Sequence, residues 1–547
     1  IAMRSSARLL GIAAVAHCAS QRRWAAAQSP AQVYTWGSRR ALPGGGSGAC
    51  SVPTRQVWFE QNLPPKGRWG AIAFGPDFGC AIASEGSTLC LWGSRASRPG
   101  GRSVGPCFAI LPKAVASESW VDAQCSERTI WLLASSGQVF VVESLGEALD
   151  AADKGSERLA IAIREVPGLE KIKKMSVGPT HAAFLDESGR CLCVGNNDCG
   201  QCGVHPSEAQ QVGVTEVLFP RGANLESIAC GGKHTVVLDG SGSVFTFGDD
   251  TKIQLGLGDT RSALADTRQS EGLAGYQKYL AGEGTQSPNL PTSGNQSKER
   301  RTGSGVVVYN EFDRHLQWRP TVIRSIPTES KTERIVAGSF EFPEPAEIIC
   351  GGDFTLIVTE DEESDEFQPF ARHRVLCCGD NAFGQCGRNL QQSQQTLNRV
   401  KVSRHVRAHR VVCGSRHCVG LMYKETGEQL WGWGDNDTGA VGVQNRGKIV
   451  CPAGRVKRTW RQDQHIDHIS AGFLATGAIV LDGEPPPRPQ GPPRGRRQAP
   501  VGTTTSVADL DAEVRMLEAE LEMLKTRWAK EHGGEAPWER KRSAGTK

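Results

Sequence analysis

The sequence predicts an all-β protein: a seven-bladed β-propeller followed by a C-terminal α-helix that forms a short coiled-coil segment. Three observations carry that prediction. Glycine is dense, two short signatures each recur seven times, and an apolar stripe of helical spacing is confined to the C-terminal end. Of 547 residues 64 are Gly, without the every-third spacing of collagen. Glycine at this density, with 22% charged residues and scattered short apolar runs, predicts many short strands joined by tight turns.

The first signature is an apolar strand that ends in an aromatic or small residue plus Gly. It occurs at Trp36-Gly37, Trp92-Gly93, Val194-Gly195, Phe247-Gly248, Cys378-Gly379 and Trp433-Gly434, with a degenerate copy at Val141-Val142. The second is a small residue three positions before a His or its substitute, followed by an apolar strand. Its copies begin at Gly75, Ser126, Gly178, Gly231, Gly351, Gly414 and Gly472. A strand, a Gly turn and a second strand per unit, seven times over, fit radial repetition, which leaves few exposed sheet edges. Val33-Tyr-Thr-Trp-Gly, Asn196-Asn-Asp-Cys-Gly-Gln-Cys-Gly203, Ile228-Ala-Cys-Gly-Gly-Lys-His-Thr-Val-Val-Leu238, Gly379-Asp-Asn-Ala-Phe-Gly-Gln-Cys-Gly387 and Trp433-Gly-Asp-Asn resemble the repeats of the regulator of chromosome condensation family. The resemblance covers 33–483 and implies a seven-bladed propeller that works by binding.

The segments around the repeats are read separately. Residues 259–318 insert into the fifth unit as a polar stretch expected to be a long loop. Residues 484–505 are a Pro- and Arg-rich linker, extended in character. Ser506 is a candidate helix cap for 506–532, where Leu510, Val514, Leu517, Leu521, Leu524 and Trp528 alternate steps of four and three as an a/d seam for a partner helix. Residues 533–547 form a basic tail. At the other end, 1–32 reads as a mitochondrial presequence. No Asp or Glu occurs before Glu60, while Arg4, Arg8, Arg22 and Arg23 flank the apolar Leu9–Ala16 stretch. A secretory signal is the rival address, and a cytoplasmic or nuclear site is the alternative localisation.

Eighteen cysteines lie mostly inside apolar strands, where a free thiol packs as a small hydrophobe, so a reducing compartment is expected. His181, His234 and His417 occupy one repeat position, shared with Phe78, Thr129, Phe354 and Ala475, and are expected to bond neighbouring backbone. Cys199 and Cys202 have CxxC spacing, but Cys386 stands in the slot of Cys202, so packing is the expected role. The sequence has no phosphate-binding Gly-x-x-x-x-Gly-Lys-Ser/Thr. No catalytic residue, cofactor or metal site is therefore expected.

Charge is informative only in its distribution, since the net charge is +4. From 381 to 424 there is no acid, and the sixth and seventh units carry Arg399, Lys401, Arg404, Arg407, Arg410, Arg455, Lys457 and Arg458. Clustered cations of this kind suit a polyanion and track its phosphates rather than its sequence. The acidic run Glu360–Glu366 is expected as an exposed loop. The expected function is a non-enzymatic mitochondrial scaffold for a large assembly, with ribosomal RNA, ribosomal proteins or another protein complex as partners. Family resemblance adds guanine-nucleotide exchange on a small GTPase as an alternative. A structural subunit of a mitochondrial membrane complex is the other.

Overall fold

The computed structural model describes residues 31–94, 103–143, 145–151, 157–204, 211–219, 223–240, 242–257, 298–302, 305–309, 316–322, 344–361, 372–388, 394–402, 406–424, 427–444 and 447–483. The expected presequence lies outside the described residues up to position 30, and so do the linker, the 506–532 helix with its six stripe residues, and the basic tail.

Seven antiparallel sheets form the blades of a propeller. Blade 1 joins the two ends of the domain: β1 (Gln32–Ser38) and β2 (Ala49–Arg55) from the start, β30 (Gln464–Ala471) and β31 (Ala475–Asp482) from the end. The ring is closed by β1 against β31, with Gln32 opposite Val480 through Gly37 opposite Ala475. Blade 2 is β3 (Trp69–Phe74) to β6 (Ser103–Ile110), and blade 3 is β7 (Trp120–Cys125), β8 (Ile130–Ala134), β9 (Val139–Glu143) and β11 (Ala162–Glu165). Blade 4 runs from β12 (Ile172–Val177) to β15 (Gln211–Val217). Blade 5 is β16 (Leu225–Cys230), β17 (His234–Asp239), β18 (Val244–Asp249) and β21 (Leu316–Val322). Blade 6 runs from β22 (Glu344–Cys350) to β25 (Gln394–Arg399), and blade 7 from β26 (Arg407–Cys413) to β29 (Ile449–Arg455).

The insertion therefore separates the third and fourth strands of blade 5. It is not loop throughout, because Lys298–Thr302 and Gly305–Tyr309 pair as an antiparallel hairpin within it. Two further features had no counterpart in the repeat pattern. β10 (Arg158–Ala160) adds in parallel to the outer edge of blade 2, and a short helix, Leu145–Ala151, packs Leu145 and Leu149 into the seam beside it.

The core is divided among the seams. Seven apolar clusters form, one between each neighbouring pair of blades. Strand β17 shows why. All six of its residues are buried. Val237 packs toward blade 4, while Val236 and Leu238 pack toward blade 6. Both faces of each sheet are covered, so the strands read as continuous apolar runs instead of an alternation.

The second signature has a packing origin. At Gly231 a Cβ would lie 2.1 Å from Cε1 of His234, because the ring folds flat over the glycine. Blade 3 has no ring at this place. There Ser126 is tolerated, and its hydroxyl shares a 2.7 Å hydrogen bond with that of Thr129.

Candidate interaction face and channel

The histidines lock seams together. Nε2 lies 2.9 Å from Thr235 Oγ1 in His181, 3.0 Å from Thr355 Oγ1 in His234 and 2.9 Å from Thr476 Oγ1 in His417. Each threonine belongs to the next blade. Each donates its hydroxyl back to a turn carbonyl of the histidine's own blade, at Gln201, Gln254 and Ala440. With its hydrogen so committed, the hydroxyl accepts from an Nε2–H. The expected backbone partner is thus replaced by a threonine, itself anchored to backbone. In two of the seams whose next blade lacks threonine an indole bonds across instead: Trp433 Nε1 donates to the Gln385 carbonyl at 2.8 Å, and Trp92 Nε1 to that of Ala41 at 2.8 Å.

The CxxC residues sit in a turn that closes on itself. Asn197 Oδ1 accepts from the Cys202 N–H, and Gln201 Oε1 from the Cys199 N–H. Asn381 and Gln385 repeat the arrangement around Cys386. Burial pushes the Cys199 thiol up to about 12, so it stays protonated and unsuited to metal or nucleophilic chemistry. Among the described residues no three His, Cys, Asp or Glu side chains gather as metal ligands, and no helix is long and apolar enough to cross a membrane.

A channel runs through the ring of innermost strands and encloses about 350 Å³. An innermost strand has one paired edge, so the other would face the channel bare. Side chains from neighbouring blades cover part of it. Gln124 donates to the Met175 carbonyl and accepts from the Val177 N–H, and Ser176 Oγ accepts from the Cys230 N–H.

Four residues before each signature turn, these strands carry Ala71, Asp122, Lys174, Ser227, Glu347, Arg410 and His468. This is the end from which the strands start, so the seven surround one mouth. Burial pushes the Glu347 carboxyl up to about 7 although Arg410 and Lys174 oppose the shift. Burial lowers Lys174 too, and its Nζ donates to the Glu226 carbonyl at 2.7 Å. Burial, then Arg410, lowers His468 to about 4.

The predicted cations lie on this same face. Arg399 and Lys401 end the outer strand of blade 6; Arg455 and Lys457 end that of blade 7; Arg410 stands at the mouth. All five are exposed, and none forms an ion pair among the described residues. Arg458 is engaged elsewhere, donating to the carbonyls of Arg461, Gln462 and Gln464. Arg407 begins β26, with its side chain outside the described residues, as is all of Arg404. Of the acidic run, only Glu360 and Asp361 fall within a described strand.

Apolar exposure, which the sequence reading missed, marks the same face. Val57, Leu63, Ile110, Val121 and Leu218 are the large hydrophobics exposed among the described residues. All five lie where outer strands end or innermost strands begin, with Leu218 79% exposed. Ion pairs occur on both faces, among them Lys233 with Asp198 and Arg416 with Asp435 on the opposite one and Arg68 with Asp467 on this one. A face with unmatched cations and exposed apolar side chains is suited to docking.

Residues 172–201, 226–254 and 372–421 match the regulator of chromosome condensation (RCC1) repeat. The human probable E3 ubiquitin-protein ligase HERC3 is 37% identical over 92 residues, 17% of this chain and 9% of that protein. The chain thus spans about a tenth of that relative. The ultraviolet-B receptor UVR8 of Arabidopsis thaliana is 23% identical over 313 residues, 57% of this chain and 63% of the receptor. The crystal structure of Prp20p from Saccharomyces cerevisiae, a protein described by its binding to Gsp1p and histones, superposes with a TM-score of 0.56 at 16% identity. That likeness covers 84% of this chain and 93% of Prp20p, and it shows the fold. The matched stretches fall in blades 4 to 7 of the complete seven-bladed ring, so the chain carries regulator of chromosome condensation repeats on a propeller similar to that of Prp20p.

Proposed function

We propose that this propeller is a non-enzymatic scaffold that acts in mitochondria and holds an RNA-containing assembly, such as a ribosomal particle, against the face where its innermost strands begin. One observation carries the reading: Arg399, Lys401, Arg410, Arg455 and Lys457 are exposed together on that face without ion pairs among the described residues. Unmatched cations beside a phosphate backbone release condensed counterions, which gives affinity that falls with salt. The apolar side chains on the same face suit a protein component bound beside the RNA.

The test is binding of a single-stranded oligouridylate across a salt series. Reversing Arg399, Lys401, Arg455 and Lys457 to Glu should weaken binding by at least about tenfold and lower the logarithmic salt slope by roughly two to three. Equal affinity and slope in the variant would remove the basic sector as the contact. Accelerated GDP release from a small GTPase, untouched by the reversal, would favour nucleotide exchange instead. The address is tested separately by imaging a fluorescent protein fused to residues 1–31. Mitochondrial import is expected, and a cytosolic or secreted fusion defeats that part of the proposal.

A further inference from the structure

Glu347 is an acid placed inside the basic face. Its carboxylate lines the channel, and it has neither a hydrogen bond nor an ion pair among the described residues. Two cations act on it from either side, Arg410 from blade 7 and Lys174 from blade 4. Neither closes onto it. Lys174 reaches across blade 5, where the Glu226 carbonyl holds its ammonium, and Arg410 remains exposed. The mouth therefore presents two positive groups with a partly protonated carboxyl between them.

A phosphate group fits this set of donors. Its oxygens take charge-assisted hydrogen bonds from a guanidinium and an ammonium, and a protonated carboxyl adds an O–H donor. An ionised carboxylate would repel the same oxygens. We infer that the channel mouth binds one backbone phosphate of the RNA between Lys174 and Arg410, and that Glu347 takes up a proton as the phosphate enters. The inference rests on the polyanion reading above and names the device that tunes it.

Lys174 and Glu226 face Glu347 from blades 4 and 5, Arg410 and His409 belong to β26, and Asp122 and His468 lie around the ring. On its own sheet the residue opposite is Val358. His468 stays neutral down to about 4, while burial raises the Asp122 carboxyl although it accepts from Gln124 and the Ala123 N–H. A phosphodiester carries no titrating proton near neutrality. Asp122 and His409 are the competing sources of pH dependence, the latter with its ring 4.9 Å from that of Tyr423.

The experiment measures oligouridylate affinity of the full chain and of Glu347→Gln at fixed salt, at about pH 6 and about pH 8. The parent should bind about five- to tenfold more tightly at the lower pH, the gain one linked proton gives. Glu347→Gln should change by less than about twofold, and at the higher pH should match the parent at the lower. Since the carboxyl has no hydrogen bond among the described residues, the glutamine variant should fold, which circular dichroism checks. A variant that keeps the parent's pH dependence overturns the inference and points to Asp122 or His409. So does a parent whose binding falls with salt yet ignores pH, a result that leaves the polyanion reading standing. Failure to bind oligouridylate at either pH removes both.

Discussion

Replacing Gly248 by alanine is expected to destabilise the propeller by on the order of 4 kcal/mol, or to prevent its folding. Gly248 ends the apolar strand of blade 5 at φ +114°, where L side chains are strained. A Cβ there would lie 2.4 Å from the Lys233 carbonyl oxygen and 2.7 Å from the His234 Cα. Both are backbone atoms of the adjoining strand and turn, which cannot rotate aside as a side chain can. The pairing of β18 with its outer neighbour also slips here, between Thr246 and Gly248. The strand thus needs a conformation, a close approach and a bulge at one residue, and glycine meets all three. Gly105→Ala is the control. It lies in an outer strand with open space where its Cβ would stand, and its denaturation midpoint should hardly move. Equal midpoints for the two variants would show that the first signature is not a steric requirement.

The same requirement explains why the fold was legible. Five copies of the first signature end in glycines with φ between +104° and +119°, at Gly37, Gly195, Gly248, Gly379 and Gly434. Backbone geometry of this kind permits one residue type, so it survives in sequence where side-chain packing drifts. Blades 2 and 3 were harder to read because their seams are filled differently. Ser126 and Thr129 replace a glycine and a ring, and β10 enters from outside the repeat. Parallel pairing between distant segments leaves no local periodicity to find.

The face was legible only in part. Its cations appear as an acid-free run, but the run does not reveal that Arg458 is committed to nearby carbonyls. The mouth residues carried a signal that went unused. Each stands four positions before a signature turn, from Ala71 before Gly75 to His468 before Gly472. A similar signal marked the histidine partners. Each histidine-bearing blade precedes a blade with threonine at the second position of the equivalent strand, at Thr235, Thr355 and Thr476.

Those seam locks should make the propeller sensitive to acid. Burial lowers His181 and His417 to about 4 and His234 to about 3. In the unfolded chain each ring takes up a proton near 6.5, whereas in the folded state it stays neutral until well below that. Stability from these rings is complete above about 6.5 and falls as pH drops from there toward 4, by up to about 1.4 kcal/mol per pH unit for each ring. Glu347 acts in the opposite direction between about 7 and its ordinary value, because the folded state holds its proton more tightly. With the three locks and His468 against this one acid, the net change should be a loss of several kcal/mol. At neutral pH, His234→Ala should cost on the order of 1–3 kcal/mol, leaving the Thr355 hydroxyl without its donor. Combining it with Thr355→Ala should cost less than the sum of the two single changes. His234→Phe with Thr355→Val should remove the share of the acid response that His234 contributes, since Phe354 and Phe78 already fill the equivalent place in blades 6 and 2. Thermal midpoints of the parent, the alanine variants and the Phe/Val pair across this pH range are the measurement. A parent midpoint that is level from about 6.5 to 4, or a Phe/Val pair as acid-sensitive as the parent, would show that the rings are not held neutral by their seams.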